Sequence, residues 1–321
     1  MINTWMRVLT IKLTSKKLKK RLIFGNNWEQ RKNNKNVTDI ELSINVDGTK
    51  YLSSLKDQCI IKINNLTYKE IIQIIDGEYY EVEIITGYQN GNSFTIFNGG
   101  VLYVSNKLQD ASTNEVIIIC TNKLVAKYGQ NKMNLSLNSG INMYSAIKFI
   151  TERAGIKNSY IDEKFKKQTL KTVEAQTSKI TSWLDAFTTA NNLVVQGDSS
   201  EGNDVSIWNP ARTNSRTIKL TNNNIILTNG YPKVNSEGLT ITILPTLNLC
   251  PGDTIVIDNS IIDLSVSSKS QALKNAGQYV DKNGQYVILE ITFSLSNRDS
   301  NFSYEIKGRA KSLYQNIIGV S

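Results

Sequence analysis

Two pairs of carboxylates are the side chains of this chain whose type and spacing could do chemistry. Glu81 and Glu83 alternate along "YYEVEII", and Asp162 is followed directly by Glu163. Two carboxyl groups on either side of one bond can hydrolyse a glycoside, with one as acid and the other as base or nucleophile. Glu81 and Glu83 belong to a regular alternating strand, however, so we interpret them as part of a solvated sheet face.

Other kinds of chemistry find less support. The 321 residues include no histidine, which excludes Ser-His, Cys-His and His-metal mechanisms and removes the commonest general base. Cys59, Cys120 and Cys250 form no C-x-x-C pair, and the first two lie in apolar runs. We therefore predict free, buried thiols and no zinc site. We also predict no catalytic, cofactor-binding or metal-binding residue.

Positive charge is concentrated at the beginning of the chain. The formal net charge is +9, and residues 1–37 contain ten basic side chains and one acidic one, Glu29. The densest part is "SKKLKKRL", within a basic arm from Lys16 to Lys35. Such an arm could bind an acidic partner or nucleic acid. We favour a solvated loop or edge strand, because no aromatic residues alternate with the basic ones.

Residues 1–125 are typical of an antiparallel sheet with one buried face. Apolar and polar residues alternate in "DIELSINV", "CIIKI" and "YYEVEII", with Gly, Asn and Asp between the segments. The alternation predicts four buried residues, namely Ile61, Ile63, Val82 and Ile84. Four dipeptides indicate turns, namely Asp47-Gly48, Asp76-Gly77, Asn90-Gly91 and Asn98-Gly99. We expect the second and third of these dipeptides to close hairpins.

A short helix is predicted where "IIKINN" ends. Thr67 followed by Glu70 fits a capping box, and Leu66 with Ile71 fits the hydrophobic staple that often accompanies it. The helix therefore begins directly after the strand. A lone helix among strands usually plugs the end of a barrel or covers an open sheet edge.

Residues 126–236 change to helical spacing, and residues 237–321 return to alternation. Helices are predicted over 142–154 and 178–191, and "NLVVQG" with "DVSIWN" predicts a hairpin. Pro251-Gly252 indicates a tight turn before a strand. The predicted buried faces of the two helices are Met143, Ala146, Ile147 and Ile150 in the first and Ile180, Trp183, Leu184 and Phe187 in the second. The pattern predicts a β-rich α+β fold with three domains, at 1–125, 126–236 and 237–321.

Several motifs occur in an order that points to a family. The first region contains "IKINNL" and its helix, then "YYEVEIITGYQNG", "IFNGGVLYVSN" and "EVIIICT", and the last contains "NGYPKVNSEGLTITILPTLNLCPGDTIVID". This order, over about 40–125 and 225–313, resembles the baseplate hub proteins of contractile-tailed phages. This group includes the hub proteins of Mu-like phages and the hub part of type VI secretion spikes. Each motif alone is loose, and the resemblance depends on their co-occurrence.

The resemblance implies two tail-tube-like antiparallel β-barrels, at 1–125 and 237–321, that flank a helical and mixed middle region at 126–236. It further implies a homotrimer whose six barrels form a pseudo-hexameric ring between the tail tube and the central spike. The implied partners are other copies of the chain, the tail tube protein, the central spike protein and the tape measure protein. DNA would pass through the lumen without specific binding. The family has no catalytic residue to transfer, so the implied role is structural.

The implied location is the tail baseplate of the virion, after assembly in the host cytoplasm. The first residues do not have the pattern of a secretory signal peptide. No apolar run reaches the ~18 residues that a membrane span requires. We therefore expect no membrane insertion.

Two other functions stay open at this point. The basic N-terminal region could make the chain a nucleic-acid-binding protein, whose affinity would then fall steeply with salt. A tail-associated enzyme that degrades the cell wall would need a carboxylate pair such as Glu81 with Glu83. DNA affinity would distinguish the first alternative, and a cell-wall lysis assay the second.

The predicted burial of Val82 can be tested by substitution. Val82→Asp would place an unpaired carboxylate in the apolar interior, so we expect the free energy of unfolding to fall by several kcal/mol. Thermal unfolding of the purified variant measures this effect. Unchanged thermal stability would contradict the burial of the residue.

Overall fold

The structure is a computed structural model of the 321-residue chain. The residues that it describes are 7–15, 18–25, 37–38, 42–77, 81–88, 92–108, 114–129, 131–171, 174–197, 204–209, 216–221, 227–228, 230–235, 238–263 and 279–313. Every structural statement below refers to these ranges.

The described residues form 19 strands and four α-helices, together with three short 3-10 helices. The strands are β1 (Arg7–Ser15), β2 (Lys20–Gly25), β3 (Val37–Thr38), β4 (Ser43–Tyr51), β5 (Gln58–Asn64), β6 (Glu81–Tyr88), β7 (Ser93–Leu108), β8 (Asn114–Asn122), β9 (Lys132–Leu137), β10 (Ser159–Ile161), β11 (Glu174–Lys179), β12 (Val194–Gly197), β13 (Val205–Trp208), β14 (Thr217–Lys219), β15 (Lys233–Asn235), β16 (Gly238–Ile243), β17 (Thr254–Val256), β18 (Gln285–Ser296) and β19 (Phe302–Ala310). The helices are α1 (Tyr68–Asp76), α2 (Lys123–Tyr128), α3 (Met143–Arg153) and α4 (Ile180–Ala190). The 3-10 helices span Ser54–Lys56, Glu163–Lys167 and Asn259–Ile261.

One 14-stranded sheet contains strands from both ends of the chain. Its order is β15-β16-β19-β18-β4-β5-β8-β7-β6-β1-β2-β3, with β17 beside β18 and β14 beside β17. The pairs are antiparallel except for β2 with β3 and β14 with β17. The predicted β-rich, mainly antiparallel fold is confirmed. Two separate barrels are not confirmed, because the two β regions join in one continuous sheet and the described strands close no barrel.

The two regions join where β4 pairs with β18, a contact that we call the seam. Residues 45–51 of β4 lie opposite residues 290–296 of β18, in antiparallel register. At one end, the Asn297 side chain accepts from the Ile44 N–H at 2.8 Å and donates to the Leu42 carbonyl at 2.9 Å. At the other end, the Leu52 N–H donates to the Leu289 carbonyl at 2.8 Å. The loop "SNRDSN" at residues 296–301 thus secures the start of β4.

Two of the predicted turns are strand residues instead. Asp47-Gly48 lies within β4 and Asn98-Gly99 within β7. A Cβ atom on Gly48 would lie 2.4 Å from the Phe293 ring. One on Gly99 would lie 2.3 Å from the Thr121 carbonyl oxygen and 2.5 Å from the Phe97 ring. Glycine is required at these positions because an aromatic ring, and at Gly99 also a backbone carbonyl, lies directly over the strand.

The other predicted turns differ in their outcome. Asp76-Gly77 does not close a hairpin, because it ends α1, where Gly77 is the C-cap. Asn90-Gly91 lies outside the described residues, although β6 and β7 on either side pair antiparallel. The turn at Pro251-Gly252 is confirmed, with Gly252 at a φ of 94° just before β17.

The helix start at Thr67 is confirmed. The Thr67 hydroxyl accepts from the Glu70 N–H at 3.3 Å, and the Glu70 carboxylate accepts from the Thr67 N–H at 2.8 Å. Leu66 and Ile71 are both buried in the core of the large sheet. Asn65 just before them has a φ of 66°, a left-handed conformation that turns the chain sharply between β5 and α1.

The apolar residues form two cores. The first combines both β regions and includes the four predicted residues Ile61, Ile63, Val82 and Ile84, so their burial is confirmed. The second lies between Leu124 and Ile207 and contains the predicted faces of α3 and α4. The predicted hairpin is confirmed as the antiparallel pair of β12 and β13. The division into domains at 1–125, 126–236 and 237–321 remains a prediction. Two strands of the predicted middle region, at 217–219 and 233–235, pair in the large sheet.

Substitution of Gly48 tests the seam. Gly48→Ala would push a methyl group into the Phe293 ring, and we expect the free energy of unfolding to fall by about 3 kcal/mol, the upper end of the usual cost of overpacking. Urea unfolding measures the loss. The Thr49→Ala variant is the control, since Thr49 lies on the opposite face of the same strand and its loss should change stability little. Equal effects of the two substitutions would show that the ring does not lie over Gly48.

Candidate functional site

The carboxylates of β6 are held in ion pairs. Glu83 accepts from Lys12 of β1 at 3.0 Å and from the Thr95 hydroxyl at 2.8 Å, and Glu81 lies 3.6 Å from Lys123. Partial burial opposes ionisation of Glu83, but the hydrogen bonds from Lys12 and Thr95 outweigh it and lower its pKa. A carboxylate held ionised in this way is poorly suited to act as the general acid of a glycosidase.

The second carboxylate pair is also structural. Asp162 accepts from the Lys164 N–H at 3.0 Å and so caps the 3-10 helix that follows it. Glu163 pairs with Lys166 one turn further along the same helix. Within the described ranges, no group of three or more Cys, Asp or Glu side chains is arranged to hold a metal ion.

The cysteines of the sheet face one another across two strands. Cys59 of β5 lies opposite Cys120 of β8, and both are free and buried, as predicted. In the same pair of strands, the Asn122 N–H donates to the carbonyl of Asp57, which lies opposite it. Hydrogen-bonded pairs recur every second residue in an antiparallel ladder, so Cys59 and Cys120 also form a hydrogen-bonded pair. Side chains at such pairs are farther apart than at the alternate positions, which does not favour a disulfide. Burial raises the pKa of Cys120 to about 12. Cys250 is only half-buried.

The described part of the basic arm is the end of the turn between β1 and β2 together with β2 itself. Leu18, Lys19, Lys20 and Arg21 are all exposed, and Lys19 has a φ of 51° at the turn. This agrees with a solvated hairpin. Lys16, Lys17 and residues 26–36 lie outside the described residues, so a contact of the whole arm with an acidic neighbour stays a prediction.

A buried carboxylate, Asp57, lies where the large sheet meets the middle region. Its side chain accepts from the Tyr51 N–H at 2.7 Å. Its backbone carbonyl accepts from the Thr121 hydroxyl at 3.0 Å and from the Asn122 N–H. Asn122 in turn caps α2, the first helix of the middle region, by accepting from the Leu124 N–H at 2.8 Å. Asp57 therefore supports the point at which the chain leaves the sheet.

The same junction also reaches the last β region. A Cβ atom on Gly197 of β12 would lie 2.4 Å from the Asn122 side-chain oxygen. The Gln196 side chain beside it donates to the Pro251 carbonyl at 3.3 Å.

Burial is the main cause that raises the pKa of Asp57 to about 7, and the Tyr51 N–H and Lys50 only partly offset it. Sequence reasoning missed Asp57, because a polar residue before a strand is common and nothing local indicates its burial.

The similarity to solved structures extends over nearly the whole chain. A 43 kDa tail protein of prophage MuSo2 from Shewanella oneidensis matches 96% of this chain and 98% of its own length, with a TM-score of 0.55 and 9% identity. A tail protein of Neisseria meningitidis matches 97% and 98%, with a TM-score of 0.54 and 9% identity. The chain shares its fold with phage tail proteins. The resemblance in motif order is therefore confirmed at the level of the fold.

A third structure of similar fold comes from a type VI secretion system. An Escherichia coli protein, described as a type VI secretion component with structural similarity to the T4 bacteriophage tail proteins gp27 and gp5, matches 85% of the chain and 74% of its own length. Its TM-score is 0.52 at 8% identity. No protein-family model matches the chain, and no curated protein sequence does. None of the helices in the described ranges has the length and hydropathy of a membrane span.

The raised pKa of Asp57 predicts a pH-dependent stability. The folded-state pKa of about 7 lies above the ordinary value of 3.8. The stability that the protonated Asp57 carboxyl group contributes is therefore present in full below about pH 4 and is lost as the pH rises through 7. Between pH 5 and pH 8 we expect the wild type to lose about 3 kcal/mol of unfolding free energy through this group.

The Asp57→Asn variant should lack this loss, because an amide does not ionise and its oxygen can still accept from the Tyr51 N–H. Urea unfolding at pH 5 and pH 8 gives the four free energies. The exposed Asp47 provides the control, and the Asp47→Asn variant should keep the wild-type dependence. If the free energy of unfolding changed by the same amount between pH 5 and pH 8 in the wild type and in the Asp57→Asn variant, the assignment of the pH dependence to Asp57 would be wrong.

Proposed function

We propose that the chain is a structural protein of a phage tail, namely the baseplate hub. The observation that supports this most is the end-to-end likeness to two tail proteins, each matched over 98% of its own length. Both proteins are tail proteins, and the likeness extends over nearly the whole fold. The proposed location is the baseplate of the virion, after assembly in the host cytoplasm.

In this proposal, three chains close into a ring that joins the sixfold tail tube to the threefold central spike. Each chain contributes two β regions, so three chains provide six regions around the axis. The seam supports this arrangement because it holds the two regions of one chain side by side in one sheet. A closed cyclic assembly uses the same contact at every subunit boundary.

The proposed partners follow from this position in the tail. They are the other copies of the chain, the tail tube protein, the central spike protein and the tape measure protein, with DNA in the lumen making no specific contact. The likeness to a type VI secretion component supports a spike as one neighbour. The exposed basic residues at the turn between β1 and β2 would contact an acidic surface of such a neighbour.

The proposal includes no enzymatic step. Glu81, Glu83 and Glu163 are each in an ion pair, and Asp162 caps a helix. These contacts explain the four carboxylates as parts of the fold. We therefore expect the purified protein to release no product from peptidoglycan, and hydrolysis above a blank would favour a wall-degrading enzyme instead.

The position and copy number in the assembled particle test the hub directly. We expect three copies on the tail axis, between the tube and the spike, in a reconstruction of the particle by electron microscopy. An independent measurement is the mass of the isolated ring, expected at three times the 36.0 kDa chain mass. Six copies, or a position away from the axis, would contradict the hub and favour a tube or peripheral baseplate protein.

A further inference from the structure

An apolar strip lies on the outer face of the large sheet. Ile60 of β5 lies opposite Ile119 of β8, and Ile119 lies opposite Tyr103 of β7. Ile60 is 40% exposed and Tyr103 is 58% exposed. Leu102, the extra residue of a bulge in β7, is 51% exposed. Ile117 and Ile119 lie on the same face of β8 and are half-buried. We call Ile60, Leu102, Tyr103, Ile117 and Ile119 the sheet patch. Apolar residues grouped in this way on a surface mark contact sites.

The outer face beyond the seam is different. Thr49 of β4 faces Thr292 of β18 there, with 3.4 Å between the hydroxyl oxygens, and Lys307 pairs with Glu290 at 2.8 Å. These residues are polar or charged, as expected for a sheet face in water. The sheet patch is therefore a local departure and not a general property of the outer face.

A second apolar surface lies on α1. Tyr68, Ile72 and Ile75 follow one another at positions i, i+4 and i+7 and so lie along one side of the helix. Tyr68 is 78% exposed and Ile75 is 46% exposed. We call this row the helix stripe. The helix already packs against the core through Ile71 and Ile74, so the helix stripe is not needed to hold the helix in place.

The charges around the two surfaces are complementary. Lys69 and Asp76 lie near opposite ends of the helix stripe, and neither makes an ion pair within the described residues. Asp47 lies beside Ile60 on the neighbouring strand, and Lys62 lies two residues further along β5. Lys62 likewise has no ion-pair partner in the described part of the chain. A helix placed on the patch can bring Lys69 to Asp47 and Asp76 to Lys62, which would favour one orientation over its reverse.

We propose that the helix stripe of one copy packs on the sheet patch of the next copy, and that this contact forms the centre of the ring interface. The two surfaces differ, so the contact is head-to-tail, which is the type of contact that closes a ring by rotation. Tyrosines on both surfaces suit the centre of an interface, where they contribute large apolar area and exclude water. This inference rests on the proposed ring and identifies the surfaces that build it.

Two variants that each remove one surface test the contact. Tyr103→Glu places a carboxylate on the sheet patch, and Tyr68→Glu places one on the helix stripe. Both side chains are exposed, so the fold should be retained, which circular dichroism checks. The control is Tyr231→Glu, because Tyr231 is 67% exposed and belongs to neither surface. Mass photometry and sedimentation velocity of the full-length chain report the assembly.

We expect the wild type and the Tyr231→Glu variant to form the same assembly. Each of the other two variants should stay monomeric, with the dissociation constant raised about 100-fold or more by the buried charge. A mixture of the two monomeric variants should form a dimer of two chains and nothing larger, because the intact stripe of one can pack on the intact patch of the other. That dimer has no second intact contact with which to close a ring.

Three results would overturn the inference. Variants that assemble like the wild type would show that the ring uses other surfaces, and the hub proposal would still stand if the particle contains three copies on its axis. A mixture that gives no dimer would show that the two surfaces do not contact each other. A wild type that remains monomeric at every concentration at which it is soluble would show that the contact does not form.

Discussion

The pairing of β4 with β18 is the contact on which the rest of the structure depends. It joins strands that lie near opposite ends of the chain, and the Ser294 hydroxyl donates to the Asp47 carboxylate across it at 2.7 Å. Phe293 covers Gly48 there and lies 6.4 Å from the Phe97 ring, centre to centre. Two further aromatic contacts, Tyr88 with Phe302 and Phe94 with Tyr304, connect the same two regions. The regions therefore share one interior, and neither has a complete core without the other.

The middle region is attached to this sheet in a different way. Its own core, around Trp183 and Phe187, packs within residues 124–207. Its attachment includes two specific polar contacts, the Asn122 cap of α2 and the hydrogen bond from Gln196 to the Pro251 carbonyl. Directional hydrogen bonds fix an orientation more strictly than apolar packing does. In the proposed hub this would keep α3 and α4 at a constant angle to the ring while the sheet provides its wall.

Features that depend on neighbouring residues could be predicted from the sequence. Burial of Ile61 and Val82 follows from period-2 alternation, and the helix start follows from Thr67 and Glu70, three residues apart. Gly48 was assigned wrongly, because the ring that requires a glycine comes from a strand far away in the sequence. The continuous sheet was missed for the same reason, since alternation identifies the buried face of β4 and β18 but not their pairing. Asp57 and the exposed Tyr103 depend on three-dimensional surroundings that no local pattern records.

The order of the strands along the chain has a consequence for synthesis on the ribosome. β4 is complete once residue 51 has emerged, but the strand that covers its open edge ends at Ser296. During the translation of the residues between them, β4 presents unpaired N–H and C=O groups at the edge of a partly formed sheet. Exposed edges of this kind pair readily with strands of other chains. The nascent protein should therefore depend on chaperones until its last two long strands are made, and a transcript cut short before them should yield an aggregating product.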